Sequence, residues 1–252
     1  MIIDTHAHLN DDRLIDSVEN IIKDMHSDGL EAIINVGYDL KSSEVAFTQA
    51  NIYENLYATI GIHPHDSARK GKNDYEKFTE MAKSNKVVAF GEIGLDFYYD
   101  RSERSIQEKV FKEQLELADY LKLPVVLHIR DAYQLAYDIL KEASKWLNNG
   151  VVLHCYSGSA EMAKRFADFD AYFSFGGAIT FKNSNKEEVV NVINKDRLLL
   201  ETDCPYMTPH PFRGKTNYPK YIKLVAQKMQ EWFPNINIPA LTTNNAKRVF
   251  RI

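Results

Sequence analysis

The chain has 252 residues, of which 44% are hydrophobic and 26% charged, and its formal net charge is −4. This length fits one (β/α)8 barrel, and the apolar content is ordinary for a globular protein with one large core. The negative charge excludes a general attraction to polyanions, so any contact with nucleic acid must use a local cationic patch.

Eight short segments predict β-strands, because they are rich in Val, Ile, Leu and Phe and often continuously apolar. They cover residues 1–8, 31–38, 56–63, 86–95, 124–130, 151–157, 171–180 and 197–203. Amphipathic segments between them predict helices at 13–27, 43–51, 102–121, 132–147, 160–169 and 186–194, with a later helix near 220–232 and a short one after Asn244. This alternation predicts an α/β fold, a single (β/α)8 TIM barrel over residues 1–252.

The seventh strand segment departs from this pattern because it contains two adjacent glycines, Gly176 and Gly177. Glycines within a strand either allow another backbone or a substrate to approach closely, or mark a bulge. The sequence leaves both interpretations open.

Six of the apolar segments end in residues that bind divalent metals. The first contains His6 and His8, whose side chains point to the same side of a strand and can hold one ion together. The others end at His63, Glu92, His128, His154 and Asp203. One such residue is usually solvated or satisfied within the core. Six strand ends that carry only His, Glu or Asp instead match the ligands of Zn and Mn, and predict a metallohydrolase.

Six motifs in this order resemble the TatD family of metal-dependent deoxyribonucleases, within the amidohydrolase-like barrels. They are Asp4-Thr5-His6-Ala7-His8-Leu9, Gly61-Ile62-His63-Pro64-His65, Gly91-Glu92-Ile93-Gly94-Leu95-Asp96, Leu127-His128-Ile129-Arg130, His154-Cys155-Tyr156-Ser157-Gly158 and Glu201-Thr202-Asp203-Cys204-Pro205-Tyr206. The resemblance extends to Asn245-Ala246 and so covers the whole chain.

The resemblance implies two divalent ions, Zn, Mn or Mg. His6 and His8 are expected to hold the first ion with Asp203, His128 and His154 the second, and Glu92 to bridge both. The expected reaction is hydrolysis of DNA phosphodiesters by metal-activated water, as an exonuclease on single-stranded or frayed ends. Asp203 is a candidate proton acceptor for the attacking water.

The role expected of His63 is catalytic rather than metal-binding. By resemblance, it contacts the scissile phosphate or stabilises the leaving oxygen. His65 is either its neighbour at the site or a turn residue, and the sequence favours neither.

Contacts to a DNA substrate require cations and stacking groups. Arg130 points to the same side of its strand as His128, and three further candidates, Lys182, Arg213 and Lys215, follow the seventh and eighth strands, where this barrel commonly binds phosphate. An aromatic cluster follows the fourth strand, and it either stacks on bases or packs beneath its loop. It consists of Phe97, Tyr98 and Tyr99.

The last loop differs from the family pattern. Family members commonly carry Arg-Asn-Glu-Pro after Arg-Gly-Lys, whereas here Arg213-Gly214-Lys215 is followed by Thr216-Asn217-Tyr218-Pro219. The missing guanidinium and carboxylate leave substrate preference open. The alternative function is metal-dependent hydrolysis of an amide, ester or lactone, in a small molecule or aminoacyl-tRNA. A non-catalytic binding module is a third interpretation, and the intact ligand set argues against it.

The sequence also bears on redox state and location. Cys155 and Cys204 each follow a proposed ligand, so strand alternation predicts reduced packing residues beneath the outer helices. No apolar run approaches the 18 residues of a membrane span, and the first residues resemble a strand rather than a cleavable leader. We expect a cytoplasmic protein with no membrane contact and no obligatory protein partner.

Overall fold

A computed structural model describes residues 1–252 and contains eight parallel strands in sequence order, each paired with the next. The strands are β1 (Ile2–Ala7), β2 (Leu30–Val36), β3 (Leu56–Ile60), β4 (Val87–Asp96), β5 (Val125–Arg130), β6 (Val151–Leu153), β7 (Tyr172–Phe175) and β8 (Leu198–Leu200). A parallel bridge between Ala7 and Cys204 joins the first strand to the chain that follows the last. The fold is the (β/α)8 TIM barrel that the alternation predicted.

The helices lie between and after the strands. They are α1 (Val18–Asp24), α2 (Leu40–Ile52), α3 (Asp74–Met81), α4 (Arg104–Tyr120), α5 (Tyr133–Glu142), α6 (Ala160–Phe166), α7 (Lys186–Val192), α8 (Ile222–Trp232) and α9 (Ile238–Phe250). The helix α3 was not among the predicted helices, because only Phe78 and Met81 are buried there and its polar composition gives a weak periodic signal. The last helix, α9, begins at Ile238, earlier than the predicted start after Asn244.

Local capping explains two of these helix starts. Asp39 begins α2 with a capping box: its carboxylate accepts from the backbone N–H of Ser42 at 2.7 Å, and the Ser42 hydroxyl accepts from the backbone N–H of Asp39 at 2.9 Å. Asn237 caps α9 through the N–H of Ala240, and Pro239 occupies the first turn, where its missing N–H costs nothing.

Two buried clusters make up the core. The larger contains 53 residues and fills the space between the strands and the outer helices. The smaller contains 13 residues, drawn from most of the strands and from Val249 and Phe250 of α9. The amide of Asn245 donates to the carbonyls of Lys195 and Leu198 at the start of β8, so α9 covers the N-terminal end of the barrel. The C-terminal end is left for the functional site.

Of the two glycines after β7, Gly177 allows a close backbone approach. The strand ends at Phe175, short of the predicted residue 180, and a 3-10 helix, Gly177–Thr180, follows it. A Cβ atom on Gly177 would overlap the carbonyl oxygen of Met207, in the chain after β8. Gly177 therefore lets the loops after β7 and β8 pack together.

The two cysteines are both free, as predicted, but they differ in environment. Cys204 is fully buried in the larger core cluster. Cys155 lies beyond the end of β6, is partly exposed and has a left-handed φ of 44°, so strand alternation does not apply to it. The prediction that it packs beneath the outer helices is wrong. None of the helices combines the length and the apolar character needed to cross a membrane.

Candidate metal centre

The first group of candidate ligands joins β1 to the chain after β8. The Nε2 atoms of His6 and His8 lie 3.9 and 3.5 Å from Oδ1 of Asp203. The Nδ1 atom of His8 lies 3.0 Å from the carbonyl oxygen of Val36, to which it donates, so Nε2 faces the carboxylates and would offer a lone pair to a cation once it loses its proton. This is the arrangement in which an imidazole can bind a metal.

Hydrogen bonds across the β1–β8 seam fix the position of Asp203. Its backbone N–H donates to the carbonyl of His6 at 2.8 Å. The buried carboxylate of Asp4 accepts from the backbone N–H and the hydroxyl of Thr202, at 2.9 and 2.6 Å. Asp203 itself has a left-handed φ of 55°, which Asp tolerates better than most residues. The seam therefore holds this carboxylate over the two histidines.

The second group lies on the opposite side of Glu92. The Nδ1 atom of His128, in β5, and the Nε2 atom of His154, just after β6, each lie 2.8 Å from Oε1 of Glu92. The two ring nitrogens are 3.3 Å apart. Gly94 of β4 makes this packing possible, because a Cβ atom there would overlap the carbonyl of His128.

Glu92 faces both groups with different oxygen atoms. Its Oε2 lies 3.4 Å from Nε2 of His6 and 3.9 Å from Nε2 of His8, while Oε1 faces His128 and His154. Glu92 does not end its strand as expected, because β4 continues to Asp96. Burial alone would raise the pKa of Glu92, but the charge of His154, and then the hydrogen bonds from His128 and His154, outweigh burial and lower it well below its usual value. The carboxylate is therefore ionised.

The chemistry of these donors fits divalent cations. His6 is completely buried, and neither of its ring nitrogens has a hydrogen-bond partner within the protein. A buried polar atom without a partner is costly, and a bound cation would remove that cost. Three overlapping sets of side chains converge closely enough to share an ion: His6 with His8 and Asp203, His6 with Glu92 and His154, and His63 with Glu92 and His128.

His63 differs from the other histidines in its hydrogen bonding. Its Nδ1 accepts from the backbone N–H of His65 at 3.1 Å, and its Nε2 lies 3.6 Å from Oε1 of Glu92. Burial and then the neighbouring His128 lower the pKa of His63 well below its usual value, so the ring is neutral. A neutral ring that accepts at Nδ1 carries its proton on Nε2, which therefore points a donor into the site.

Two carboxylates that were not predicted from the sequence contact the histidines. Oδ2 of Asp96 lies 3.0 Å from Nε2 of both His128 and His65, and Oε1 of Glu201 lies 3.5 Å from Nδ1 of His154. Each contacts the nitrogen that faces away from Glu92. Their signal in the sequence was an even spacing from a candidate ligand: Asp96 is four residues after Glu92, and Glu201 two before Asp203.

The four candidate substrate contacts lie in separate places. Lys182 and Arg213 line one groove of about 810 Å³, formed by the loops after β6, β7 and β8. Arg130 instead lies against two tyrosine rings after β4, and Lys215 lies 5.8 Å from the ring of Phe212, outside that groove. None of the six candidate metal ligands lines the groove, which lies beside the centre rather than over it.

The divergent loop after β8 keeps one buried anchor. The side-chain amide of Asn217 donates to the carbonyls of Thr202 and Tyr206, at 2.8 and 2.7 Å, and is fully buried. Tyr218 packs partly buried against the larger core cluster. This loop is therefore attached to the backbone on both sides of Asp203.

Comparisons with known proteins agree with this architecture. Residues 3–251 match the family model described as "TatD related DNase". The chain is 43% identical to a Bacillus subtilis protein named "Uncharacterized metal-dependent hydrolase YabD", over the full length of both chains. It is 35% identical to an uncharacterized metal-dependent hydrolase of Mycoplasma genitalium, over 98% of each chain.

A solved structure gives the same result in three dimensions. YJJV, a TatD homolog from Escherichia coli K12, superposes with a TM-score of 0.93 at 30% identity, over 100% of this chain and 98% of that one. Together with the converging histidines and carboxylates, these matches show that the chain belongs to the TatD family and is a metal-dependent hydrolase.

Proposed function

We propose that this hydrolase cleaves phosphodiester bonds of DNA, as an exonuclease on single-stranded or frayed ends, with two divalent ions as cofactors. One observation carries the proposal: the two oxygens of Glu92 face separate groups of histidines, His6 with His8 and His128 with His154. A carboxylate in this position is suited to bridge two cations. In-line displacement at phosphorus commonly uses such a pair.

Each ligand has a defined place in this proposal. His6, His8 and Asp203 would hold the first ion, His128 and His154 would hold the second, and Glu92 would contact both. Two Zn, Mn or Mg ions bound there would lower the pKa of water toward about 7 and neutralise charge on the phosphoryl oxygens. Asp96 and Glu201 orient the imidazoles of the second group.

In this proposal Asp203 accepts a proton and His63 donates a hydrogen bond. Burial alone would raise the pKa of Asp203, but the hydrogen bond from His8 and the charges of His154 and His6 lower it, so the ionised carboxylate accepts the proton of the attacking water. His63 donates from Nε2 toward the phosphate or the leaving oxygen, where negative charge develops.

A DNA substrate is supported by the family match and by the cationic groove. Lys182 and Arg213 line the groove on one side of the centre, where they contact phosphates that flank the cleaved bond. In this proposal Arg130 and Lys215 bind phosphates outside the groove. The net charge of −4 means that attraction to DNA comes from these local cations.

The test is to incubate the purified chain, reconstituted separately with Zn, Mn and Mg, with single-stranded DNA labelled at either end. We expect stepwise release of nucleotides, which is lost on chelation and in Glu92→Gln. Release only from internal positions would contradict the exonuclease assignment. Turnover of lactones, esters or aminoacyl-tRNA without any cleavage of DNA would overturn the proposal in favour of the alternative.

A further inference from the structure

One side of the metal centre carries an exposed tyrosine that contacts two charged side chains. The Tyr206 ring is 47% exposed, and its centroid lies 6.1 Å from that of His8. Its hydroxyl donates to Oδ2 of Asp11 at 3.2 Å, and the guanidinium of Arg13 lies 4.3 Å from the ring centroid. Arg13 is itself paired with Asp11 through two bonds of 2.8 Å. We call Tyr206, Arg13 and Asp11 the Tyr206 platform.

A second aromatic surface lies beyond the other metal position. Tyr98 and Tyr99 are 57% and 50% exposed, and their ring centroids are 4.8 Å apart. The guanidinium of Arg130 lies 3.9 Å from the Tyr98 ring centroid and 4.8 Å from that of Tyr99. The Tyr99 ring lies 5.4 Å from His65, which is 6.3 Å from His128. We call Tyr98, Tyr99 and Arg130 the Tyr98 platform.

The two platforms lie on opposite sides of the barrel mouth. The Tyr206 platform comes from the chain after β1 and β8, and the Tyr98 platform from the end of β5 and the chain after β4. In an eight-stranded barrel of this order, these pairs of strands are diametrically opposed. Each platform neighbours a different histidine group, so Glu92 lies between them.

The exposure of these rings is unusual for this protein. Four aromatic side chains of the chain are strongly exposed, and three of them, Tyr98, Tyr99 and Tyr206, belong to the platforms. Each of the three rings is fixed by a guanidinium. An exposed aromatic ring that is held rigid loses little conformational freedom when a flat ligand stacks on it.

We propose that the two platforms stack on the nucleobases on either side of the scissile phosphate. This inference rests on the proposed function and specifies its substrate: a single strand whose bases are unpaired on both sides of the metal centre. Base–aromatic stacking needs the open face of a base, which duplex DNA does not present, and it tolerates any sequence. The platforms therefore select for strand state and not for base identity.

The test compares two substrates with the same phosphates. One is a single-stranded thymidine oligomer, and the other is the matched oligomer of tetrahydrofuran abasic units. The readout is the ratio of kcat/KM for the thymidine oligomer to kcat/KM for the abasic oligomer, measured with metal-loaded full-length protein. We expect the wild-type ratio to exceed one, and Tyr206→Leu and the double variant Tyr98→Leu/Tyr99→Leu each to lower it by about 10-fold.

Two variants serve as controls. Tyr206→Phe keeps the ring and loses only the bond to Asp11, so it is expected to retain most of the preference for bases. Tyr120 is 75% exposed at the end of α4, away from the centre, so Tyr120→Leu is expected to leave the ratio unchanged. An unchanged ratio in Tyr206→Leu would overturn the proposal. So would a parallel loss on both substrates with loss of metal, because Tyr206 would then support His8.

Failure of the proposed function is distinguishable from failure of stacking. If the wild type cleaves neither oligomer, the phosphodiesterase assignment fails, and fluorescence anisotropy of the two labelled oligomers still measures binding. Tighter binding of the thymidine oligomer, lost in the leucine variants, would support stacking. Equal affinity for both oligomers would overturn it.

Discussion

The second nitrogen of each imidazole decides what that histidine can do at this centre. In His8, His128 and His154 that nitrogen faces a carbonyl or a carboxylate, so the other nitrogen faces Glu92 or Asp203 and would offer a lone pair to a cation once it loses its proton. In His63 it accepts a backbone N–H, which leaves a donor directed at Glu92. The same side chain is therefore prepared for metal binding in three places and for hydrogen-bond donation in the fourth.

His63→Ala is expected to keep both metals and the fold while lowering kcat by roughly 10² or more, because it removes a donor to charge that develops in the transition state. Elemental analysis and steady-state kinetics on the same preparation measure this. Loss of metal along with activity would make His63 a ligand. Full activity would make it structural.

Asp96→Asn provides the matched contrast to this variant. It alters the group that contacts the outer nitrogen of His128, so it is expected to weaken the second metal position by 10- to 100-fold. Titration of the apo-protein with Zn or Mn would measure the affinity. Equal metal affinities for Asp96→Asn and His63→Ala would contradict the distinction drawn between these residues.

The sequence predicted the candidate ligands better than the residues that orient them. His6, His8, Glu92, His128, His154 and Asp203 follow or end apolar runs, and the structure brings all six together. Asp96 and Glu201 escaped selection because their function is a contact with a histidine more than 30 residues away. Such residues become neighbours only when the barrel closes, so their contacts cannot be read from the sequence.

At the scale of elements, hydrophobic runs predicted the strands more reliably than the helices. Strands buried on both faces give continuous apolar segments, and all eight were found, with each start within one residue of its predicted position and each end within five. The helix α3 was missed because two buried residues do not define a face. The 3-10 helix Pro64–Arg69, which carries His65, is too short to show a periodic hydrophobic pattern in the sequence.

The position of Arg213 in the loop after β8 leads to a prediction about the affinity for single-stranded DNA. Arg213 lies 4.3 Å from the Phe181 ring and lines the groove beside the metal centre. Arg213→Ala is expected to weaken binding of single-stranded DNA and to reduce the slope of log K against log salt by about 0.7, which corresponds to one phosphate contact. Anisotropy at several salt concentrations measures the slope. Arg248→Ala, on α9 at the N-terminal end of the barrel, is the control. An unaltered slope for Arg213→Ala would show that Arg213 does not contact phosphate.

At the scale of the whole molecule, the candidate ligands come from strands near the beginning, the middle and the end of the chain. They come from β1, β4, β5 and the chain after β6 and β8, so bound ions would link strands around much of the circumference. A ligand that binds only the folded state stabilises it by mass action.

Removal of metal is therefore expected to lower the thermal midpoint. At a free ion concentration 100 times Kd, one ion contributes about 2.7 kcal/mol, or roughly 5–10 °C in Tm for a chain of this size. Thermal unfolding of the metal-loaded and chelated protein measures the difference, with Glu92→Gln expected to reduce it. Identical midpoints, with bound metal verified, would show that the centre does not link the strands.

The seam between β1 and β8 joins parts of the site that a ribosome synthesises at very different times. His6 and His8 leave the ribosome early, but Asp203 and the Thr202 groups that hold Asp4 are synthesised about 200 residues later. Glu92, His128 and His154 are all present well before that. During translation the candidate ligands of the second metal position are therefore all present while the first still lacks Asp203.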